Sequence, residues 1–198
     1  MPNNSTGDYV VINVSSPNTP GLRGLQEKGK LESLLKACVK GIKDHNGKKE
    51  PPLLFIKIAP DLTGAELKDV ASVIVNSGVD GVIVSNTTNS RPDTLLSGNK
   101  EETGGLSGMP LRELSTSVIR EIYGLTGGSI PIIGVGGVSN AEDAYEKILA
   151  GAVAVQLYSS LTYKGLGVVS DIKAGLKDLL HSNGYGHVSE AVGKTSKK

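Results

Sequence analysis

The sequence predicts an α/β fold in which parallel strands are joined by helices. Short β-branched runs alternate with amphipathic helical stripes, giving five β/α units, and no hairpin turn separates consecutive apolar runs. The 26 glycines among 198 residues, beside one phenylalanine and no tryptophan, suit many tight turns around an aliphatic core. Right-handed crossovers of this kind close either as a doubly wound sheet or as a (β/α)₈ barrel.

Five apolar runs are predicted to be the strands. They are residues 9–14, 53–58, 81–85, 130–135 and 152–157. The run 9–14 has the β-branched composition of a buried strand. Pro60 ends the second strand, because proline has no N–H to donate into a ladder.

The helices are predicted from apolar residues that recur at three- and four-residue intervals. The stripes begin at Leu31, Leu67, Leu114 and Val168. The second stripe extends to Val75. Thr63 with Glu66, and Ser139 with Glu142, have the spacing of capping boxes, which predicts that helices begin at both places.

No linker divides the chain, so residues 1–198 are expected to belong to one domain. Residues 86–112 form a polar, glycine-containing stretch that is far longer than a usual α/β loop, which is typical of a lid or of a disordered segment. The basic end, 193–198, is expected to be a flexible tail. Residues 1–8 have neither the apolar region of a signal peptide nor the composition of a transit peptide.

The composition excludes several classes of function. A net charge of +1 makes nucleic acids and anionic membrane surfaces poor partners, so a small molecule is expected. The single cysteine, Cys38, excludes an internal disulfide and any cysteine-built metal site. The three histidines have no ligand spacing, so no metal is expected. No apolar run reaches the roughly 20 residues that span a bilayer.

Polar and glycine residues follow each predicted strand, where the carboxyl ends of barrel strands carry the chemistry. These residues are Asn13 and Ser16, Lys57, Asn86 and Thr87, Gly136 and Gly137, and Tyr158 and Ser159. From the residues alone each has a structural alternative. Lys57 can form an ion pair with Asp61 or Asp80, the glycines suit a tight turn, and serine or asparagine after a strand is a common turn former.

Six sequence blocks in order resemble the quinone-linked class of the dihydroorotate dehydrogenase family. They are residues 13–19 with 21–23, 57–61, 85–88, 104–108, 133–137 and 156–158. Ser16, where the soluble classes have cysteine, favours the quinone-linked class. The resemblance implies a (β/α)₈ TIM-barrel fold, present here as an incomplete barrel of about five β/α units. The chain is then the C-terminal portion of a single FMN-binding barrel domain, with the N-terminal strands absent.

The resemblance also implies roles for individual residues. Ser16 is the implied catalytic base. Substrate-binding residues are implied to be Asn13, Asn18, Asn86 and Thr87. FMN-binding residues are implied to be Asn13, Lys57, Ser85, Ser107, Gly108, Gly136, Gly137, Tyr158 and Ser159.

The implied activity is oxidation of dihydroorotate to orotate in pyrimidine (UMP) biosynthesis, with hydride passing to FMN and electrons passing to a quinone. The quinone and the membrane are expected to be contacted only through the absent N-terminal segment, at the mitochondrial inner membrane. The chain alone is expected to be impaired, because the barrel and the flavin pocket are incomplete. Two alternatives stay open, a phosphate-binding barrel isomerase or synthase without flavin and an inactive truncated fragment.

Overall fold

A computed structural model describes residues 7–44 and 51–195. The strands are β1 (Tyr9–Asn13), β2 (Leu53–Ile58), β3 (Gly81–Val84), β4 (Ile132–Val135) and β5 (Ala154–Gln156). The helices are α1 (Lys28–Lys43), α2 (Gly64–Ser77), α3 (Arg112–Leu125), α4 (Ala141–Ala150), α5 (Ser159–Lys164), α6 (Gly167–Ser182) and α7 (Val188–Ala191). Two short 3₁₀ turns lie at Leu22–Gln26 and Met109–Leu111.

All five strands form one parallel sheet in chain order, β1-β2-β3-β4-β5. A doubly wound sheet reverses its strand order at a switch point, whereas strands that add in one direction are those of a barrel wall. The order therefore selects the barrel type between the two closures that the residue pattern left open. It also brings the carboxyl ends of all five strands to one edge.

The core lies between the sheet and the helices that cover one side of it. Aliphatic residues of β2, β3 and β4 pack against α1, α2 and α3, and the most buried of them are Ile56, Ile74, Val82, Ile119 and Ile132. A second, smaller cluster joins α4 and α6 through Ala144, Val168 and Ile172. The predicted alternation of strands with amphipathic helices is confirmed, and two short helices, α5 and α7, were not predicted.

The predicted burial of residues 9–14 is wrong for most of β1. Tyr9 and Val10 are exposed, and only Val14, just after the strand, is fully buried. The physical reason is position, because in the described residues β1 has a neighbouring strand, β2, on one side only. Val75, predicted on the buried stripe of α2, is also exposed, and Val73 is buried instead.

One predicted capping box is confirmed and the other is wrong. Thr63 caps α2, because its hydroxyl oxygen accepts from the amide of Glu66. In return, the amide of Thr63 donates to the Glu66 carboxylate. At α4 the cap is Asn140, whose side chain accepts from the amide of Asp143 at 2.8 Å. Ser139 lies one residue too early to cap this helix.

The first three residues of the predicted tail, 193–195, contact the end of α4. The amides of Gly193 and Thr195 donate to the carbonyls of Ile148 and Leu149 at 3.1 and 3.0 Å, which occupies two carbonyls at the end of α4. Residues 196–198 lie outside the described part of the chain.

Candidate active site

An open cleft of about 610 Å³ lies at the carboxyl ends of β2 to β5. Two other clefts, of about 600 and 760 Å³, lie elsewhere on the molecule. Size therefore does not identify the site. The position at the carboxyl ends of the strands does, because parallel barrels carry their reactive groups there.

Ten of the predicted site residues line this single cleft. They are Lys57, Ser85, Asn86, Thr87, Ser107, Gly108, Gly136, Gly137, Tyr158 and Ser159. They come from five separate stretches of sequence, which the in-order sheet brings to one edge. Ser16, Asn13 and Asn18 are not among the lining residues.

Lys57 is half-buried at the end of β2 and forms no ion pair with any carboxylate in the described residues. Asp61 is bound by Arg23 at 2.7 Å, and Asp80 accepts from the amide of Leu54 at 2.7 Å. The structural alternative, an ion pair of Lys57 with Asp61 or Asp80, is therefore wrong. Burial lowers the pKa of Lys57, because desolvation disfavours its charged form. An anionic or polar ligand in the cleft would offset that cost.

The loop after β1 reaches the cleft through Asn86. The side-chain amide of Asn86 donates to Asn13 Oδ1 at 3.1 Å and to Ser15 Oγ at 3.0 Å. Ser16 Oγ accepts from the amide of Asn18 at 3.3 Å, which is the local turn expected of a serine in this position. Asn13 and Asn86 are thus neighbours, while Ser16 and Asn18 lie on the adjoining turn.

Arg23 fastens three loops of the site together, a role that was not predicted. Its guanidinium donates to the carbonyl of Ser15 at 3.2 Å, to the carbonyl of Thr87 at 2.9 Å and to Asp61 at 2.7 Å. These partners follow β1, β3 and β2, so one planar side chain links three strand ends. Arg23 belongs to the block 21–23 that carried the resemblance, but the pattern gave it no partner.

The loop after β4 is suited to an anion. Gly137 has φ = 71°, which glycine adopts without strain. In the described chain the amides of Gly137, Val138, Tyr158 and Ser159 donate to no protein acceptor, and all four residues line the cleft. Backbone amides without a protein acceptor at the end of a strand are common in phosphate-binding sites. With unpaired Lys57 in the same cleft, the residues present fit a ligand that carries both a phosphate and a polar ring.

A second unpredicted group lies directly behind this loop. Lys147 of α4 is fully buried, and Asp143 of the same helix, 1% exposed, accepts from Arg112 at 2.9 Å. Asp143 also accepts from the amide of Ser139 at 3.0 Å, at the end of the glycine loop. No pattern in the sequence indicates this group, because charged residues on an amphipathic helix are normally solvent-exposed.

The chain is similar to dihydroorotate dehydrogenases over nearly its whole length. A family model described as dihydroorotate dehydrogenase matches residues 3–180. The chain is 53% identical over 188 residues to "Dihydroorotate dehydrogenase (quinone), mitochondrial" of Mus musculus, covering 94% of this chain and 47% of the mouse protein. It is 52% identical over 185 residues to "Dihydroorotate dehydrogenase (quinone)" of Parvibaculum lavamentivorans, covering 93% of this chain and 51% of the bacterial protein. The chain spans about half the length of these relatives.

Solved structures agree with this result. Ligand-free DHODH from Eimeria tenella has a TM-score of 0.93 and 42% identity, covering 97% of this chain and 56% of that chain. The complex of DHODH from the same organism with ferulenol also has a TM-score of 0.93, at 41% identity, covering 97% of this chain and 55% of that chain. The predicted barrel-type fold of about five β/α units is confirmed by these neighbours and by the strand order.

Proposed function

Because this chain belongs to the dihydroorotate dehydrogenase family, we propose that it forms the C-terminal five β/α units of a quinone-linked enzyme oxidising dihydroorotate to orotate in pyrimidine biosynthesis. The family match argues against a phosphate-binding isomerase or synthase without flavin. Ser16 favours the quinone-linked class, and similar relatives are named for quinone.

The observation that carries the proposal is the convergence of chemically distinct groups at one sheet edge. Unpaired Lys57, the amide of Asn86 and the free amide of Gly137 line one cleft. Arg23 ties the loop that contains Ser16 to Thr87 beside them. A binding site for a flat anionic substrate and a phosphate-bearing cofactor needs these groups in one place.

FMN is the cofactor in this proposal, and it supplies the hydride acceptor when bound. The amides of Gly137, Val138, Tyr158 and Ser159 would hold its phosphate, and Lys57 would supply positive charge to the flavin ring. Ser85, Ser107 and Gly108 complete the lining of the same cleft. A lysine without a carboxylate partner is the appropriate residue here, because an ion pair would cancel the field that it presents to the ring.

Dihydroorotate loses a proton from C5 and a hydride from C6, which leaves the C5=C6 double bond of orotate. Ser16 Oγ takes the C5 proton in this proposal. A serine hydroxyl is a weak base at its usual pKa, so Ser16 must pass the proton onward, and water must be kept from the site. Asn13, Asn18, Asn86 and Thr87 orient the ring through amide and hydroxyl groups.

The electrons pass to a quinone, through protein that lies outside this chain, and the location proposed is the mitochondrial inner membrane. Relatives from Mus musculus and Arabidopsis thaliana are named mitochondrial, and bacterial relatives are similarly close. Within the described residues, no helix combines the length and the apolarity that a membrane crossing requires.

The test is a chimaera in which the part of the mouse relative that precedes the matched region is placed before this chain. Bound flavin absorbance reports assembly, and dihydroorotate-dependent reduction of a soluble quinone reports activity. Ser16→Ala is expected to lower the rate by about 100-fold or more while bound flavin stays the same, because it removes the base alone. The control is Ser117→Ala on the exposed face of α3. An assembled, flavin-bearing chimaera without activity would instead favour the inactive-fragment alternative.

A further inference from the structure

Lys147 is a lysine with no access to solvent and with three oxygen atoms around its ammonium group. Nζ lies 2.5 Å from Ser115 Oγ, 3.0 Å from Thr116 Oγ1 and 3.4 Å from the carbonyl of Arg112. Burial lowers the pKa of Lys147 to about 8, an effect that Asp143 only partly opposes. A buried ammonium group is costly, and these three oxygen atoms offset part of that cost.

Ser115 connects Lys147 to the glycine loop. Its hydroxyl lies 3.0 Å from the carbonyl of Gly136 and 3.1 Å from the carbonyl of Arg112, with Lys147 donating to its oxygen. Ser115 is itself fully buried, so water cannot replace these bonds. Because hydrogen bonds in series polarise one another at low dielectric, the lysine charge strengthens the bond that Ser115 makes to Gly136.

The Gly136 carbonyl fixes the direction of the next amide. In a planar trans peptide the C=O of one residue and the N–H of the next point in opposite directions. With the Gly136 oxygen held against α3, the Gly137 N–H is directed away from α3. Gly137 lines the cleft, and its amide donates to no acceptor in the described protein.

The remainder of the loop is fixed independently of Lys147. The carbonyls of Val138 and Ser139 accept from Ser160 and Lys164 of α5, and the Ser139 amide donates to Asp143. A change at Lys147 or Ser115 is therefore expected to affect the Gly136–Gly137 peptide and to leave the rest of the loop in place.

We propose that Lys147 is a positioning residue that acts through Ser115 to direct the Gly137 amide at a phosphate group in the cleft. The inference rests on the proposed flavin site and deepens it, because it names what holds the phosphate end. Lys147 touches no ligand itself. Its action is specific to the phosphate, since the Gly136–Gly137 peptide is the element that it orients.

The test compares FMN with riboflavin, which lacks the phosphate. Binding is measured on the chimaera described above, in which the barrel is complete, from flavin fluorescence and from the ¹H–¹⁵N shift of Gly137. We expect FMN to bind about tenfold or more tightly than riboflavin, as one charge-assisted hydrogen bond allows. Ser115→Ala and Lys147→Met are each expected to lower this ratio by about fivefold and to leave riboflavin affinity unchanged.

Thr116→Val is the matched control. It removes another hydroxyl that Lys147 bonds, but Thr116 makes no bond to Gly136, so the ratio should stay that of the unsubstituted chimaera. The inference would be overturned if a substitution lowered FMN and riboflavin affinity equally. It would also be overturned if Ser115→Ala kept a native spectrum and an unchanged ratio of FMN to riboflavin affinity. Either result would leave the proposed phosphate site standing. Failure of the unsubstituted chimaera to prefer FMN would overturn the proposed phosphate site and the inference with it.

Discussion

Lys57 and Lys147 are both withdrawn from water, but their surroundings assign them different tasks. Lys147 has hydroxyl and carbonyl oxygens on every donor, whereas Lys57 has no carboxylate partner in the described residues and borders an open cleft. A buried cation with protein partners holds structure, and one without them is available to a ligand. Lys57 is therefore placed to contact a ligand directly, whereas Lys147 acts only through its protein partners.

Lys57→Met should weaken FMN binding without harming the fold. The substitution removes a half-buried charge that makes no ion pair, so thermal stability should be unchanged or higher, while FMN affinity should fall by about tenfold because one charged contact is lost. Flavin fluorescence titration and thermal melting of the same samples measure the two effects. Lys40→Met, at an exposed lysine of α1, is the control. A parallel loss of stability and affinity would contradict a role confined to the ligand.

Lys147 should make stability depend on pH on the alkaline side. Its pKa is about 8 in the folded chain against an ordinary 10.5, so between these values the unfolded chain binds more protons. The free energy of unfolding should therefore rise as the pH increases through this window and decline as the pH falls back. Asp143, Glu146 and Arg112 are the charged groups whose electrostatic effect reaches Lys147.

Urea denaturation at several alkaline pH values measures this slope. Lys147→Met should flatten it, and Lys40→Met should leave it in place. An identical slope in Lys147→Met would show that another group is responsible. The tyrosines are the same in all three chains, so the comparison isolates Lys147.

Sequence could identify Lys57 but not Lys147, for a physical reason. Lys57 interrupts an apolar strand, and a charge in that setting is unusual enough to be noticed. Lys147 is one of many lysines on amphipathic helices, where exposure is the rule. Its burial depends on Ser115 and Thr116 of a different helix, and no local pattern contains that pairing.

At the scale of elements, the start of helix α2 is determined by a complete capping box. Thr63 Oγ1 accepts from the amide of Glu66, and the Glu66 carboxylate accepts from the amide and the hydroxyl of Thr63. Hydrogen bonds from the Thr63 backbone first, and from its side chain second, lower the pKa of Glu66. Helix stability from this box is therefore present at neutral pH and is lost as acid protonates Glu66.

Thr63→Ala should destabilise the chain by about 1 kcal/mol at neutral pH, the usual cost of losing a threonine cap. The difference from the unsubstituted chain should shrink as the pH falls below the ordinary Glu pKa of 4.5, since the box is then already weakened. Chemical denaturation at neutral and acid pH tests both statements. Thr103→Ala, at an exposed threonine, is the control. A difference that stayed constant with pH would exclude the contribution of Glu66.

The long segment 86–108 has its own internal brace. The Arg91 guanidinium donates to the carbonyls of Lys100, Glu102 and Gly104 at 2.8 to 2.9 Å, and Thr88 pairs with Leu106 across its base. The length of this segment is typical of either a lid or a disordered segment, and these hydrogen bonds contradict disorder. Movement of the segment as a lid stays a prediction.

Arg91→Ala should loosen this segment while leaving the core intact. Loss of the three carbonyl bonds should lower the free energy of local opening, so that proteolysis within residues 92–103 becomes about tenfold faster at nearly unchanged thermal stability. Timed protease digestion with mapping of the first cut measures it. Arg120→Ala, on the exposed face of α3, is the comparison. A first cut elsewhere would show that Arg91 does not set the stability of this segment.

Helix starts could be predicted from the sequence where the residues that determine them lie within one turn. The Thr63 and Glu66 box lies within one turn, and its sequence spacing sufficed. The same spacing at Ser139 and Glu142 failed because Asn140, one residue later, is a better cap, and Ser139 is drawn instead to Asp143. The short helix α5 was missed because it has no fully buried residue and therefore no apolar stripe.

At the scale of the whole molecule, the strand order was predictable as parallel but not as a barrel from residues alone. The choice required either the family resemblance or the observed order β1 to β5. The exposure of β1 was not predictable either, because a β-branched run has the same composition in a central strand and in an edge strand. What separates the two cases is the number of neighbouring strands, which is a property of the assembled sheet.

The open edge leads to a prediction for the isolated chain. Within the described residues β1 pairs only with β2, and Val10 on it is 41% exposed, so the free edge can pair with another copy. We expect concentration-dependent self-association in analytical ultracentrifugation, and we expect Val10→Lys to weaken it by about tenfold or more at nearly unchanged stability. Val75→Lys changes a valine that is 45% exposed on α2 and should have no such effect. If Val10→Lys and Val75→Lys weakened self-association equally, the association would depend on exposed apolar surface. Only Val10→Lys is expected to block strand pairing.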